Sequence, residues 1–109
     1  MADAVEKATY VVTAVFTDED DASVVPNNIV WTLTDTSGTV INSRSDVVVA
    51  TPLETIQIVL QGDDLAVVNP HKTKRVVTIE ADYNSTLGTN LPLNQEHRFD
   101  VRNLVKVIA

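Results

Sequence analysis

The chain has 109 residues, no cysteine, and 15 acidic against 8 basic side chains, which gives a formal net charge of −7. Its length suits one domain with one two-layer core, so we predict a single domain over residues 1–109. The missing cysteines exclude disulfides, thiolate nucleophiles and cysteine-ligated zinc. The acidic balance argues against nucleic acid as a partner, because nucleic-acid binders usually carry a concentrated basic surface.

The start of the chain and its hydropathy pattern indicate neither secretion nor a membrane span. Residues 1–7 lack the basic segment and the apolar run of a signal peptide, and no stretch approaches the roughly 18 consecutive apolar residues that a spanning helix needs. We therefore expect a protein that is made in the cytoplasm and has no membrane partner.

Residues with β-branched side chains dominate the composition, since 19 Val, 13 Thr and 6 Ile make up 38 of the 109 residues. Such side chains are stiff at χ1 and fit a pleated sheet better than a helix. The composition therefore predicts an all-β protein.

Alternating apolar and polar residues predict two strands in the first third of the chain, at 10–17 and 29–34. The second strand turns the only tryptophan, Trp31, toward the core. Between the two strands, residues 18–28 form a loop that begins with an acidic run and has room for a short strand at 23–25.

Turn residues divide the middle of the chain into further short strands. The sequence Asp-Thr-Ser-Gly at 35–38 predicts a turn with a hairpin partner at 39–42. Strands follow at 47–50 and 54–60. The next stretch, 65–74, lacks a clean period and is interpreted as a crossing loop.

The last third of the chain has the clearest strand, 75–83, followed by a long loop at 84–94 and a final strand at 96–107. A β-bulge at 102–103 explains why the alternation shifts there. About seven short strands with turn signals every 8 to 12 residues or so are typical of a β-sandwich, with a closed barrel as the alternative. The central tryptophan and the crossing loop favour the sandwich, because they suit Greek-key connections between two sheets.

Several segments resemble strands of bacterial and phage immunoglobulin-like or fibronectin-like modules. Phe-Thr-Asp at 16–18 and Asn-Ile-Val-Trp-Thr-Leu-Thr-Asp-Thr-Ser-Gly at 28–38 are similar to strands B and C. Residues 54–65 are similar to strand E and its following turn, and 77–85 and 99–104 to strands F and G. The resemblance implies an immunoglobulin-like two-sheet sandwich of about seven antiparallel strands and brings no catalytic residues with it.

For an acidic, cysteine-free chain of this size, the resemblance implies similarity to small virion proteins of tailed phages, which decorate capsids or build tails. The chain would then be a virion component made in the host cytoplasm. It would bind capsid, connector or tail proteins, or copies of itself, by surface complementarity in a symmetric assembly. Two features depart from antibody-type domains: the disulfide is absent, and Tyr83 lies at the end of strand F and not at the tyrosine-corner position.

Apolar residues that the alternation places in solvent predict an interface. Four valines on strands project away from the predicted core, and three leucines lie in the predicted loop after the clearest strand. The candidate interface consists of Val11, Val15, Val30, Val76, Leu87, Leu91 and Leu93. The alternative is that the N-terminal segment or a loop of the same chain covers the valines.

The acidic run offers a candidate cation site. Clustered loop carboxylates suit hard cations such as Ca²⁺, and the candidate ligands are Asp18, Asp20 and Asp21. The spacing does not follow the EF-hand order, so a solvated loop is the simpler interpretation. We predict no bound cofactor.

The sequence offers few groups for catalysis. The two histidines, His71 and His97, are expected on the surface, and the isolated glycines form no phosphate-binding loop. Lys72, Lys74 and Arg75 form the only basic cluster and are expected to be a solvated strand edge. We therefore predict a protein without enzymatic activity.

A recognition module is the alternative function. Such a module, adhesin-like or carbohydrate-binding, would use the loops 17–28 and 84–95 at one end of the sandwich. Sugar sites usually expose aromatic platforms, and these loops contain no tryptophan or phenylalanine, because Trp31 lies on an inward strand position.

Overall fold

The structure of the protein is a computed structural model that describes residues 2–66 and 73–102. The described strands are β1 (Ala2–Val5), β2 (Thr9–Val15), β3 (Asn28–Thr34), β4 (Val47–Val48), β5 (Thr55–Gln61), β6 (Lys74–Ser85), β7 (Gly88–Pro92) and β8 (Gln95–Arg102). Within these ranges the only helix is a short 3₁₀ turn, Gly62–Leu65, and no helix there is long and apolar enough to cross a membrane. The all-β prediction is confirmed.

The strands form two sheets. The larger sheet has six strands in the order β1-β8-β6-β3-β4, with β7 paired to the end of β6. The smaller sheet consists of β2 and β5, which run antiparallel. Two sheets that share one apolar core are compatible with a β-sandwich.

One strand pair runs parallel. β1 pairs with β8 so that Ala2 lies opposite Phe99 and Val5 lies opposite Arg102. The prediction that all strands are antiparallel is therefore wrong for this pair. A four-residue strand such as Ala-Asp-Ala-Val is too short to show a period, which is why the alternation did not reveal it.

The core follows from the alternation along the strands. In β2, β3 and β5, buried residues occupy every second position. The inward side chains of both sheets meet in one apolar cluster, in which Trp31 is 7% exposed and Phe16 is fully buried. The cluster contains Ala4, Val12, Ala14, Phe16, Ile29, Trp31, Leu33, Ile56, Ile58, Leu60, Leu65, Val77, Ile79, Ala81, Phe99 and Val101.

The turn after β3 is built by Asp35. Its Oδ1 accepts hydrogen bonds from the amides of Ser37 and Thr39 at 2.9 and 3.0 Å, and Gly38 has a φ of 91°. The hairpin partner predicted at 39–42 is reduced to one bridge between Thr34 and Val40. The main partner of β3 on this side is β4, which is shorter than the predicted strand at 47–50.

The segment predicted as a long loop at 84–94 is mostly a β-hairpin. β6 continues to Ser85, and β7 returns along it with Tyr83 opposite Leu91 and a register shift between Tyr83 and Ser85. Backbone pairing does not require apolar side chains, so a polar hairpin gives no alternation to detect. Val67 of the crossing loop, His71, Lys72, and the bulge with the strand end beyond Arg102 lie outside the described residues.

Candidate protein-binding face

The outward side of the smaller sheet is uncharged. Its side chains form four cross-strand pairs, and all eight residues are exposed. We call this surface the outer β2–β5 face; it consists of Thr9, Val11, Thr13, Val15, Thr55, Gln57, Val59 and Gln61. This face therefore has no carboxylate, although the chain has a net charge of −7.

Three valines give this face its apolar character. Val11 is 43% exposed and lies directly opposite Val59, which is 52% exposed, while Val15 on the same side is 54% exposed. The expectation that Val11 and Val15 project into solvent is confirmed. Val59 was missed, although the inward positions of Ile58 and Leu60 imply that the residue between them faces outward.

The other two valines of the predicted interface lie elsewhere. Val30 is half-buried on β3, in the larger sheet. Val76 is only 6% exposed, so the prediction that it faces solvent is wrong. β6 is a central strand, and Val76 is flanked by Thr34 of β3 on one side and Arg98 of β8 on the other.

The three leucines also separate. Leu87 is 73% exposed in the turn between β6 and β7. Leu91 is half-buried on β7, and Leu93 packs against the apolar core. The seven predicted interface residues therefore do not form one patch, although Val11 and Val15 share the outer β2–β5 face.

The carboxylate of Asp18 stabilises the conformation of the acidic loop. Side-chain oxygens of Asp18, Glu19 and Asp20 lie within 4.8 Å of one another, whereas Asp21 is not part of this group. Asp18 Oδ1 accepts hydrogen bonds from the amides of Asp20 and Ala22 at 2.9 and 3.0 Å. The solvated loop stays the prediction here, with calcium binding as its alternative.

Tyr83 ties the acidic loop to β6. Its hydroxyl donates a 2.8 Å hydrogen bond to Glu19 Oε1. This bond is the main cause that raises the pKa of Tyr83 above 10.0, and burial together with the negative charges of Glu19 and Asp18 adds to the effect. The ring is 6% exposed, as its predicted inward position requires.

A buried carboxylate, which the sequence did not reveal, lies after β5. The side chain of Asp64 is fully buried and accepts hydrogen bonds from Arg44 Nε at 2.8 Å and Asn42 Nδ2 at 2.9 Å. The amide of Gln61 donates a third, at 3.2 Å, to the other carboxylate oxygen. The network is structural, because it fastens the loop before β4 to the 3₁₀ turn.

Of the basic cluster and the two histidines, the structure describes Lys74, Arg75 and His97. Arg75 is 3% exposed, so the expectation of a solvated edge is wrong for this residue. Its guanidinium donates to the carbonyls of Lys74 and Ala66, and burial lowers its pKa while the charge of Asp35 opposes the shift. His97 Nε2 lies 2.9 Å from Gln95 Oε1 on the same strand.

The two segments assigned to the recognition alternative do meet in space. Asn27 Nδ2 donates to Asn84 Oδ1 at 2.9 Å and to Asn90 Oδ1 at 3.3 Å. Beside this amide cluster lies an open cavity of about 310 Å³ lined by Asn28, Val30, Glu80, Ala81, Asp82, Asn90, Pro92 and Asn94. No aromatic side chain lines it.

No protein-family model, curated protein or solved structure matches the chain. Among the described residues, the outer β2–β5 face and the amide cluster are two exposed surfaces formed by uncharged side chains.

Proposed function

We propose that the chain is a non-enzymatic structural protein that binds a neighbouring protein subunit through the outer β2–β5 face. The observation that carries the proposal is the uncharged character of this face. Three exposed valines lie on it, Val11 opposite Val59 and Val15 at the end of β2. Covering such a surface releases water from apolar area without removing any charged group from water.

The composition of the face suits a protein neighbour. Valines supply the apolar contact area, and the surrounding threonine and glutamine side chains can exchange hydrogen bonds with water for hydrogen bonds with a partner. Because the rest of the chain is acidic, two copies or a copy and an acidic partner repel each other least when they meet at this face.

The strand order supports an immunoglobulin-like arrangement. The order β8-β6-β3-β4 in the larger sheet is compatible with the order G-F-C-C′ of an immunoglobulin-like sandwich. The antiparallel pairing of β2 with β5 is compatible with strands B and E in its second sheet. We infer a virion role on this basis, as a capsid, connector or tail-associated protein of a tailed phage, made in the host cytoplasm and present in symmetric copies.

A charge placed on the face tests the proposal. Val11→Lys puts an ammonium group where the partner would cover it, and burying that charge without a counter-charge is costly. The matched control is Val48→Lys, because Val48 is 73% exposed on β4 in the other sheet. We expect the Val11 variant to be incorporated into particles at least tenfold less, which corresponds to about 1.4 kcal/mol.

The control variant should be incorporated like the natural chain, as measured by mass spectrometry of purified particles. Equal incorporation of both variants, with unchanged melting temperatures, would rule out the outer β2–β5 face as the binding surface.

Carbohydrate recognition is the second candidate, because the predicted loops meet in the amide cluster. Amide and carboxylate groups of Asn28, Asp82 and Asn90 could orient sugar hydroxyls in the neighbouring cavity. The test is an NMR titration with a panel of disaccharides. Saturable shifts confined to these residues, lost in Asn90→Ala and retained in Thr36→Ala, would favour this function over the structural one.

A further inference from the structure

A groove separates the free edge of β2 from β8. It has a volume of about 440 Å³ and is lined by Tyr10, Val11, Val12, Thr13, Glu96, His97, Arg98 and Phe99. We call it the β2–β8 groove. Among the described strands, β2 pairs only with β5, and the first half of β8 pairs only with β6.

The edge of β2 turns its backbone groups into the groove. Gln95 Nε2 donates a 2.7 Å hydrogen bond to the carbonyl of Val15, so this carbonyl points toward β8. Alternate residues of a strand direct their amides and carbonyls to the same edge. Val11 and Thr13 therefore present their backbone groups to the groove.

The edge of β8 also directs backbone groups into the groove. The amide of Val101 donates to Thr73 on the β6 side, whereas the carbonyl of Arg102 accepts from Glu6 on the β1 side. The backbone amides and carbonyls of the even-numbered residues of β8 thus point away from β6. Glu96 presents its amide and carbonyl to the groove, and Arg98 presents its amide, because β1 begins only at Ala2 opposite Phe99.

β1 shows how a strand occupies this gap. It lies parallel to β8 over Phe99–Arg102 and also lies against β2. Its inward residue Ala4 is small and 2% exposed. The rings of Tyr10 and Phe99 lie 4.6 Å apart and line the groove where β1 begins opposite Phe99. We therefore expect the inward side chains of a strand that continues β1 to be small, as Ala4 is.

We propose that the β2–β8 groove accepts an extended segment of a partner polypeptide, which adds to β8 as a parallel strand in line with β1. The segment would carry small uncharged residues at alternate positions, opposite Gln95 and His97 in the register continued from β1. Main-chain hydrogen bonds to Glu96 and Arg98 would hold it. Because a strand edge flanks the groove on each side, the proposed occupant is a single extended strand and not the edge of a folded second copy.

This site is distinct from the outer β2–β5 face. The side chain of Val11 belongs to that face, whereas its backbone belongs to the groove. A partner that covers the face and also inserts a segment would bind more tightly than the face alone allows.

A fused probe strand tests the proposal. We would fuse Thr-Ala-Thr-Ala ahead of Met1 in the full chain, which supplies the segment at a millimolar-range effective concentration. In the register continued from β1, the two alanines lie opposite Gln95 and His97. The matched control is Thr-Pro-Thr-Pro, because proline lacks the amide that must donate to β8.

The readouts are amide hydrogen exchange at Glu96 and Arg98 and the melting temperature. We expect the alanine extension to slow exchange at both amides at least tenfold and to raise the melting temperature, and the proline extension to do neither. Unchanged exchange with the alanine extension, or equal protection with both extensions, would overturn the proposal. Protection of these amides by dimerisation of the unextended chain would assign the groove to a second copy and also overturn it.

Discussion

Trp31 and Asp64 are both buried, but they stabilise the fold by different physical means. Trp31 fills the apolar core between the two sheets and interacts through packing. Asp64 replaces its lost water with three hydrogen-bond donors, one of them charged. The first residue could be placed from its position in an alternating strand. The second could not, because nothing in the sequence distinguishes the buried Asp64 from the exposed Asp63 beside it.

Truncation of Trp31 measures the contribution of the core. We expect Trp31→Ala to lower the free energy of unfolding by about 3 to 5 kcal/mol, because the deletion leaves a cavity between two sheets. Urea unfolding followed by circular dichroism measures this loss. A loss of less than about 1 kcal/mol would mean that the indole does not fill the core.

Protonation of Asp64 should weaken the fold in acid. Burial raises the pKa of Asp64, but the hydrogen bonds from Arg44, Asn42 and the Gln61 amide, with the charge of Arg44, lower it below 3.8. A group whose pKa is lower in the folded state stabilises the fold above its unfolded pKa. This contribution is lost as the pH falls below 3.8 and through the folded pKa.

The variant Asp64→Asn isolates this contribution. We expect a loss of about 2 kcal/mol in the free energy of unfolding at neutral pH, typical of hydrogen bonds to a charged group. The difference from the natural chain should shrink as the pH falls below 3.8 and through the folded pKa, because the carboxyl then loses its charge in both states. A difference that stays constant with pH would show that the charge of Asp64 is not what matters.

The strands differ in how far their sequence reveals them. β2, β3, β5 and β6 each have one side against the core, so their alternation predicts them to within a few residues. β1 and β7 are short and depend on backbone pairing with β8 and β6, which leaves no period in the side chains. The parallel direction of β1 depends on which strand it meets, and that is a property of the assembled sheets.

The contact between the acidic loop and β6 can be followed through Tyr83. Its hydrogen bond to Glu19 raises its pKa above 10.0, so Tyr83 stays protonated at a pH where an ordinary tyrosine ionises. The hydrogen bond stabilises the fold at pH values below the ordinary pKa of tyrosine. This stabilisation is lost as the pH rises through the raised pKa of Tyr83 in the folded protein. We expect Glu19→Ala to lower the pKa of Tyr83, as measured by the ultraviolet absorbance of tyrosinate.

The matched control is Asp20→Ala, because Asp20 lies in the same loop and makes no contact with the Tyr83 hydroxyl among the described bonds. This variant should leave the titration of Tyr83 nearly unchanged. If the two variants shifted the titration equally, general loop charge and not the hydrogen bond would set the pKa.

At the scale of the whole molecule, charged residues and unpaired strand edges are unevenly distributed. None of the eight residues of the outer β2–β5 face is acidic in a chain with fifteen acidic side chains, and the same strand β2 borders the β2–β8 groove. The sequence predicted Val11 and Val15 on this face, because alternation separates inward from outward residues. The prediction that Val76 is exposed is wrong, because a period of two does not show how much the neighbouring strands bury an outward residue.

We propose that this chain is a structural component that binds other proteins in a larger assembly. Mass spectrometry of particles purified from the source, quantified against the major structural proteins, tests it most directly. We predict that the chain is present in a fixed ratio close to a symmetric copy number. Its absence from purified particles would contradict the virion role.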